Sequence, residues 1–176
     1  MNLFEHKDQA LNWINEPKEW EVQNGKLSVL APQSSDFFLD AEGPSIRKSA
    51  PFFYTHAEGD FELTTRVNID MKEAYDSGCL MIMEDDTTWA KLCYENWMME
   101  PAIVSVVTKN TSDDCPSYKI GRVKPYLKVL RSDNNFGFHY SLDGENWTIV
   151  RYFNIEASSK IKVGVGGNMI GLCNVA

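Results

Sequence analysis

The sequence predicts an all-β protein built from two packed antiparallel sheets, and three observations carry that prediction. Apolar residues recur at every second position over most of the chain, which is the period of a half-buried strand and not of a helix. The alternating runs are separated by turn chemistry at Asn24-Gly25, Glu58-Gly59-Asp60, Asp133-Asn134-Asn135 and Asp143-Gly144. Only one weak helical pattern is visible, within Glu5 to Ile14. Many strands with turns between them and almost no helix fold as a sandwich.

Taken in order, the first strands are short ones at Lys26 to Ala31 and around Arg47 to Phe53. Phe61, Leu63, Thr65, Val67, Ile69 and Met71 then form one face of a long strand, with charged and polar residues between them. Gly78 to Met83 is a continuous apolar run, the pattern of a strand covered on both faces. Further strands follow at Thr88 to Trp97, Ala102 to Lys109, Tyr126 to Arg131, Phe136 to Leu142, Trp147 to Phe153 and Lys160 to Gly166. Phe136, Phe138 and Tyr140 share a parity and are expected in the core, with His139 on the opposite face. Asp143-Gly144 joins two alternating runs as a hairpin turn, and Trp147 after it is expected to pack in the core. A sandwich needs a terminal strand to pair with its first one, and either Leu172 to Ala176 supplies a short one or this sequence lacks it.

Length and composition narrow the classes. A chain of 176 residues suits a single domain, here 1–176, and 43% hydrophobic residues are enough for a sizeable core. Lys plus Arg is 17 against 25 for Asp plus Glu, a net charge of -8. Phosphate would be repelled, which argues against nucleic acid and anionic membrane as partners. No apolar run approaches ~18 residues, the length of a membrane span. Cys79, Cys93, Cys115 and Cys173 show no metal-ligand spacing. With no secretory pattern at the N-terminus, four reduced thiols and a cytoplasmic location are expected.

The chemistry concentrates between Tyr75 and Asp113. Trp89, Lys91, Cys93 and Glu95 share one parity, so in a strand an indole, an ammonium and a carboxylate point to one face. Neighbours two apart on such a face lie ~6.6 Å apart, so Trp89 and Lys91 can touch one small ligand together. Asp76, at the start of the preceding strand, is a candidate partner for Lys91. An indole offers a flat apolar surface to the C–H face of a sugar ring, and charged side chains take its hydroxyls. The bland alternative is a solvated sheet face with a cross-strand ion pair worth ~1 kcal/mol or less.

Other chemistries rank lower. Glu95 and Asp76 are a candidate carboxylate pair for glycoside hydrolysis, but the sandwich glucanases carry Glu-x-Asp-x-x-Glu on one strand and this chain does not. Glu84-Asp85-Asp86 and Ser112-Asp113-Asp114 are acidic enough for Ca²⁺, though such clusters are more often solvated turns. His6, His56 and His139 are scattered, with no nucleophile beside them. The glycines lie in turns or strand ends and make no phosphate loop, so no cofactor and no metal are expected.

With these residues in view, the chain resembles the DUF1349 family, the YesU-like and regulation-of-enolase-like group of concanavalin A-like proteins. The matching pieces are Trp13-x-Asn15-x-Pro17-x-x-Trp20, Asp36-Phe37-Phe38, Gly59-Asp60-Phe61-Glu62, Tyr75-Asp76-Ser77-Gly78-Cys79-Leu80-Met81, Trp89-x-Lys91-x-x-x-Glu95, Ser105-Val106-Val107-Thr108, Ser112-Asp113 and Ser141-x-Asp143-Gly144-x-x-Trp147. They occur in the family's order over nearly the whole chain. The resemblance implies a concanavalin A-like jelly-roll sandwich of two antiparallel sheets with a concave groove. Carried over position by position, it implies that Asp76, Trp89, Lys91, Glu95, Thr108, Ser112 and Asp113 line that groove. Three departures are visible: Phe38 stands where the family usually has Trp, Asp114-Cys115 replaces its usual Trp-Ser, and Asn168 to Ala176 replaces its usual C-terminal Ser-Pro, Gly-rich turn and aromatic strand.

The expected function is therefore non-catalytic recognition of a small carbohydrate or polyol, with Trp89 stacking and Asp76, Lys91 and Glu95 hydrogen bonding. A glycoside hydrolase-like enzyme with Glu95 as acid/base is the second reading, and a regulatory module that binds a peptide is the third. A homodimer is left open.

Overall fold

The structure is a computed structural model and describes residues 11–42, 46–168 and 172–175, with side chains through 167. The strands in chain order are β1 (Asn12–Ile14), β2 (Glu19–Gln23), β3 (Lys26–Leu30), β4 (Phe37–Leu39), β5 (Ile46–Lys48), β6 (Phe52–Glu58), β7 (Phe61–Ile69) and β8 (Ser77–Asp85). They continue as β9 (Thr88–Trp97), β10 (Glu100–Lys109), β11 (Thr111–Lys119), β12 (Tyr126–Ser132), β13 (Asn135–Ser141), β14 (Thr148–Asn154), β15 (Lys160–Asn168) and β16 (Leu172–Val175). One seven-stranded sheet runs β1-β6-β15-β8-β9-β10-β11, and the other runs β14-β13-β12-β7-β16-β3-β2. A separate two-stranded ribbon is formed by β4 and β5. The strand pairings within both large sheets are antiparallel, and the two sheets make the sandwich that the alternation predicts, with the concanavalin A-like character that the resemblance implies.

Turn residues set the registers. Asn24 and Gly25 both have positive φ, 52° and 69°, as a two-residue type I′ hairpin requires, and they join β2 to β3. Asp143 organises the β13–β14 turn: its Oδ1 accepts from the backbone N–H groups of Glu145 and Asn146 and from the Ser141 hydroxyl. The Asn146 side-chain amide, which donates to Oδ2 at 2.8 Å, comes first among the bonds to the ionised form that hold its carboxyl well below the usual range.

The core between the sheets takes one face of each strand. Leu80, Ile82, Ala90, Leu92, Tyr94 and Ile103 from the first sheet meet Leu27, Val67, Leu127, Val129, Phe136 and Phe138 from the second. The other face of the first sheet carries a second apolar cluster: Phe52, Cys79, Met81, Met83, Trp89, Cys93, Val104 and Val106 are covered by Phe37 and Leu39 of β4. This double cover explains the unbroken apolar run of β8, whose residues Ser77 to Met83 are all buried.

Several expectations change. The predicted strand around Arg47 to Phe53 is two strands, β5 and β6, and β1, β2, β4 and β11 were not foreseen. The helix expected within Glu5 to Ile14 gives way to strand β1 at Asn12–Ile14, and its earlier part lies outside the described residues. β16 is the terminal strand, and it lies between β7 and β3. Trp147 is not core: it lies on the outer face of the second sheet, with the Lys128 ammonium 3.9 Å from its ring centre. Cys79, Cys93 and Cys115 are free thiols, while the side chain of Cys173 lies outside the described residues. Among the described residues no helix is long and apolar enough to cross a membrane.

Gly164 shows how closely the first sheet is packed. A Cβ there would collide with the Phe53 carbonyl oxygen and stand 2.8 Å from the Tyr54 Cα, both backbone atoms of the paired strand β6. Neither can rotate aside, so Gly164→Ala is expected to destabilise the fold by about 2 kcal/mol in urea unfolding. An unchanged midpoint would mean that β6 and β15 separate without cost.

Candidate functional site

The site is built on β9, a strand near the middle of the first sheet. Its outward residues are flanked in register: Trp89 by Met83 and Thr108, Lys91 by Met81 and Val106, Cys93 by Cys79 and Val104, Glu95 by Ser77 and Ala102. Moving along the strand, the floor changes from apolar to polar. Over the Trp89 end lies the β4–β5 ribbon, with Phe37 edge-on to the indole at 5.9 Å between ring centres. Around the Lys91 and Glu95 end a pocket of about 740 Å³ remains.

Three segments wall this pocket. The loop Gln33 to Asp36 forms one side, with Phe38 and Arg47 from the ribbon beside it. The turn Glu73 to Asp76 forms another, and Asp114 of β11 lines it from the far side of β10. Trp97 completes it, with Tyr75 edge-on to its ring at 5.8 Å. Tyr75 is 50% exposed, so this aromatic pair is reachable from solvent.

The electrostatics are set by burial. Lys91 is 4% exposed, and its Nζ donates to Asp36 Oδ1 at 2.8 Å. Burial works against the ammonium, but the acidic groups around it, Cys93, Asp36, Cys79 and Glu95, outweigh that and hold its pKa above the ordinary lysine value. Glu95 is 5% exposed, and its carboxyl makes no hydrogen bond or ion pair among the described residues. Burial first, then the charges of Asp114 and Asp36, outweigh the attraction of Lys91 and push it up to about 8. Asp114 is raised too, by burial and by Asp36, against the pull of Lys91. Asp76 is structural as well as pocket-lining: its Oδ2 accepts from the backbone N–H groups of Lys72 and Glu73 at 2.8 Å each and shapes the turn that carries Tyr75.

Of the seven residues expected in the groove, the pocket brings together Asp76, Lys91 and Glu95. Trp89 faces the expected way but has no exposed surface, because β4 lies over it, so its ring is not free to stack on a ligand. Thr108 is fully buried and hydrogen bonded to the Ser112 hydroxyl at 2.8 Å, and that hydroxyl also receives the Leu39 backbone N–H. Thr108 and Ser112 thus anchor the ribbon and do not line the pocket. Asp113 pairs with Val107, a core-facing position, and so points to the opposite side, where its Oδ2 meets Arg151 at 2.9 Å. His139 also lies away from the pocket, beside Lys128 and Glu62.

The pocket also contains residues that the sequence reading missed. Trp97 continues the parity of Trp89 and Glu95 by one more step, so that signal was present. Asp114 stands next to the chosen Asp113, and only the register of β11 on β10 tells the two apart. Asp36 reaches Lys91 across 55 positions of sequence, and no local pattern marks it. Among the described residues no cluster of three His, Cys, Asp or Glu has the geometry of a metal site.

A family model described as a protein of unknown function, DUF1349, matches residues 13–168. Regulation of enolase protein 1 of Saccharomyces cerevisiae is 25% identical over 166 residues, which are 92% of this chain and 84% of that protein. The crystal structure of a functionally unknown Saccharomyces cerevisiae protein has a TM-score of 0.86 at 24% identity, covering 94% of this chain and 91% of that one. The carbohydrate binding module CBM66 from Bacillus subtilis has a TM-score of 0.59 at 10% identity, covering 93% and 91%. At these identities the two structures speak to the sandwich fold alone.

Proposed function

The chain belongs to the DUF1349 family, whose description is a protein of unknown function, and from that premise we propose that its pocket recognises a neutral carbohydrate or similar polyol without catalysis. The observation that carries this reading is the pairing of a solvent-reachable aromatic wall, Tyr75 and Trp97, with a polar floor, Lys91 and Glu95, in one pocket of about 740 Å³. A sugar ring presents an apolar C–H face and hydroxyls at its rim, and this lining offers a counterpart to each. The likeness in fold to a carbohydrate binding module agrees with it. The name of the yeast relative describes a regulator, which also fits a binding role.

In this reading Trp97 takes the stacking role that Trp89, being covered, is not free to play. Trp97→Ala is expected to weaken binding of neutral glycans on an array about tenfold, the worth of one aromatic contact. Trp147→Ala, on the outer face of the other sheet, is expected to bind like wild type. Equal binding by wild type and Trp97→Ala would sink the assignment.

A second reading is favoured by one observation. A carboxyl pushed up to about 8 beside other carboxylates is also how a general acid is prepared for glycoside hydrolysis. Turnover of a retained glycan that Glu95→Gln abolishes, with binding kept, would establish it.

A further inference from the structure

Among the described residues, the pocket holds a buried carboxyl without a hydrogen-bond partner. Glu95 is 5% exposed, and among the described residues its carboxyl has no hydrogen-bond or ion-pair partner. Buried polar groups in native proteins are almost always paired, and an orphan facing a cavity points to a missing partner. The Ser35 hydroxyl on the same wall is likewise buried without a partner.

What Glu95 faces decides the form in which it waits. Its own strand contributes Lys91, whose Nζ is already engaged by Asp36 from the loop before β4. β11 contributes Asp114, and the turn before β8 contributes Glu73 and Asp76. From the ribbon comes Arg47, while β10 offers the apolar Ala102 in register. Acidic groups outnumber free cations around it, so ionising Glu95 would add a buried charge to a site already negative.

We propose that Glu95 meets its ligand as the neutral carboxylic acid, donating its proton in a hydrogen bond to a hydroxyl oxygen of a neutral polyol, so that recognition is switched off in alkaline solution. This rests on the polyol reading and narrows it. A neutral carboxylic acid presents one donor and one acceptor, which matches hydroxyls, since each hydroxyl can do both. A uronic acid would bring a further negative charge and is rejected. An ammonium group, which only donates, cannot use the Glu95 proton and would have to displace it. The position of the carboxyl at about 8 places the loss of affinity just above neutral pH.

The test is an immobilised array of neutral, amino-bearing and uronic-acid-bearing glycans, read at about pH 6.5 and about pH 9 with wild type and Glu95→Gln. Wild type is expected to retain neutral glycans at the lower pH and to lose about tenfold in affinity at the higher one, in proportion to the competent fraction. Glu95→Gln keeps a neutral donor, so its affinity, whatever its absolute value, is expected to be the same at both. Wild-type affinity for neutral glycans that is equal at both pH values would overturn the proposal and leave the polyol reading standing. So would a pH dependence that persists in Glu95→Gln, or a preference for amino-bearing glycans. Retention of no glycan at either pH would remove both. A ¹³C titration of the Glu95 carboxyl in the free protein adds an arm that needs no ligand: an ordinary carboxylate midpoint would end the proposal even if sugars bind.

Discussion

Asp36→Asn is expected to destabilise the protein by about 3 kcal/mol near pH 6, the cost of leaving one member of a buried ion pair without its partner. Lys91 is the member left behind. Its side chain is 4% exposed, and its ammonium donates to Asp36 Oδ1 at 2.8 Å. Asparagine can accept one hydrogen bond but cannot balance the charge. Adding Lys91→Met in the same chain removes the buried charge and places an apolar side chain between Met81 and Val106, so the double variant is expected to recover most of the loss. Urea unfolding of the two single variants and the double one measures the coupling directly. The Asp36→Asn penalty is also expected to shrink as pH rises, because Glu95 then ionises and supplies the missing negative charge. A penalty below about 1 kcal/mol, the range of exposed pairs, would show that Lys91 is solvated and that the pocket floor is not closed around it.

This pair also marks the boundary of what the sequence makes legible. Parity is a local property, so it correctly placed Trp89, Lys91 and Glu95 on one face of β9 and put Leu92 and Tyr94 on the other. Whether that face is open or covered is not local. The cover comes from β4 and β5, three residues each, too short to show an alternation and remote in sequence from what they cover. That is why Trp89 read as a stacking surface and is instead a packed one. The same limit explains Asp113. A consecutive Ser112-Asp113-Asp114 must split between faces, and only the register of β11 on β10, which shifts between Ile103 and Val104, decides which carboxylate enters the pocket. Trp147 failed for a different reason. A large aromatic after a hairpin is a sound core expectation, but a Lys stem with its charge over the ring satisfies an indole on an outer sheet face equally well. Turn chemistry, by contrast, is both local and strict, and Asn24-Gly25 adopts the left-handed pair of φ angles that its sequence announces.

Glu95→Gln is expected to stabilise the protein at alkaline pH, by about 4 kcal/mol at pH 8.5, and to change it little at pH 4.5. In the folded chain the Glu95 carboxyl is pushed up to about 8 from 4.5, first by burial and then by Asp114 and Asp36. Between those two values the folded protein holds a proton that the unfolded chain has released. Stability from this group is therefore complete below about 4.5, falls as pH rises through the window, and levels off above about 8. Glutamine carries no such proton, so the variant lacks this slope, and the gap between variant and wild type opens with rising pH. Asp114 is raised in the same sense, but it is present in both chains and largely cancels in the difference. Thermal or urea unfolding at three pH values across the window measures the gap. A difference that stays constant would mean that Glu95 ionises normally. A gap that opens as expected would show that the fold spends stability to keep this carboxyl buried and protonated. Among the described residues that carboxyl makes no hydrogen bond: its neighbours in register are Ser77 and Ala102, and it bonds to neither side chain. A destabilising residue with no structural partner is what a binding pocket requires of its floor, because the bond it withholds from the protein is the one it has available for a ligand.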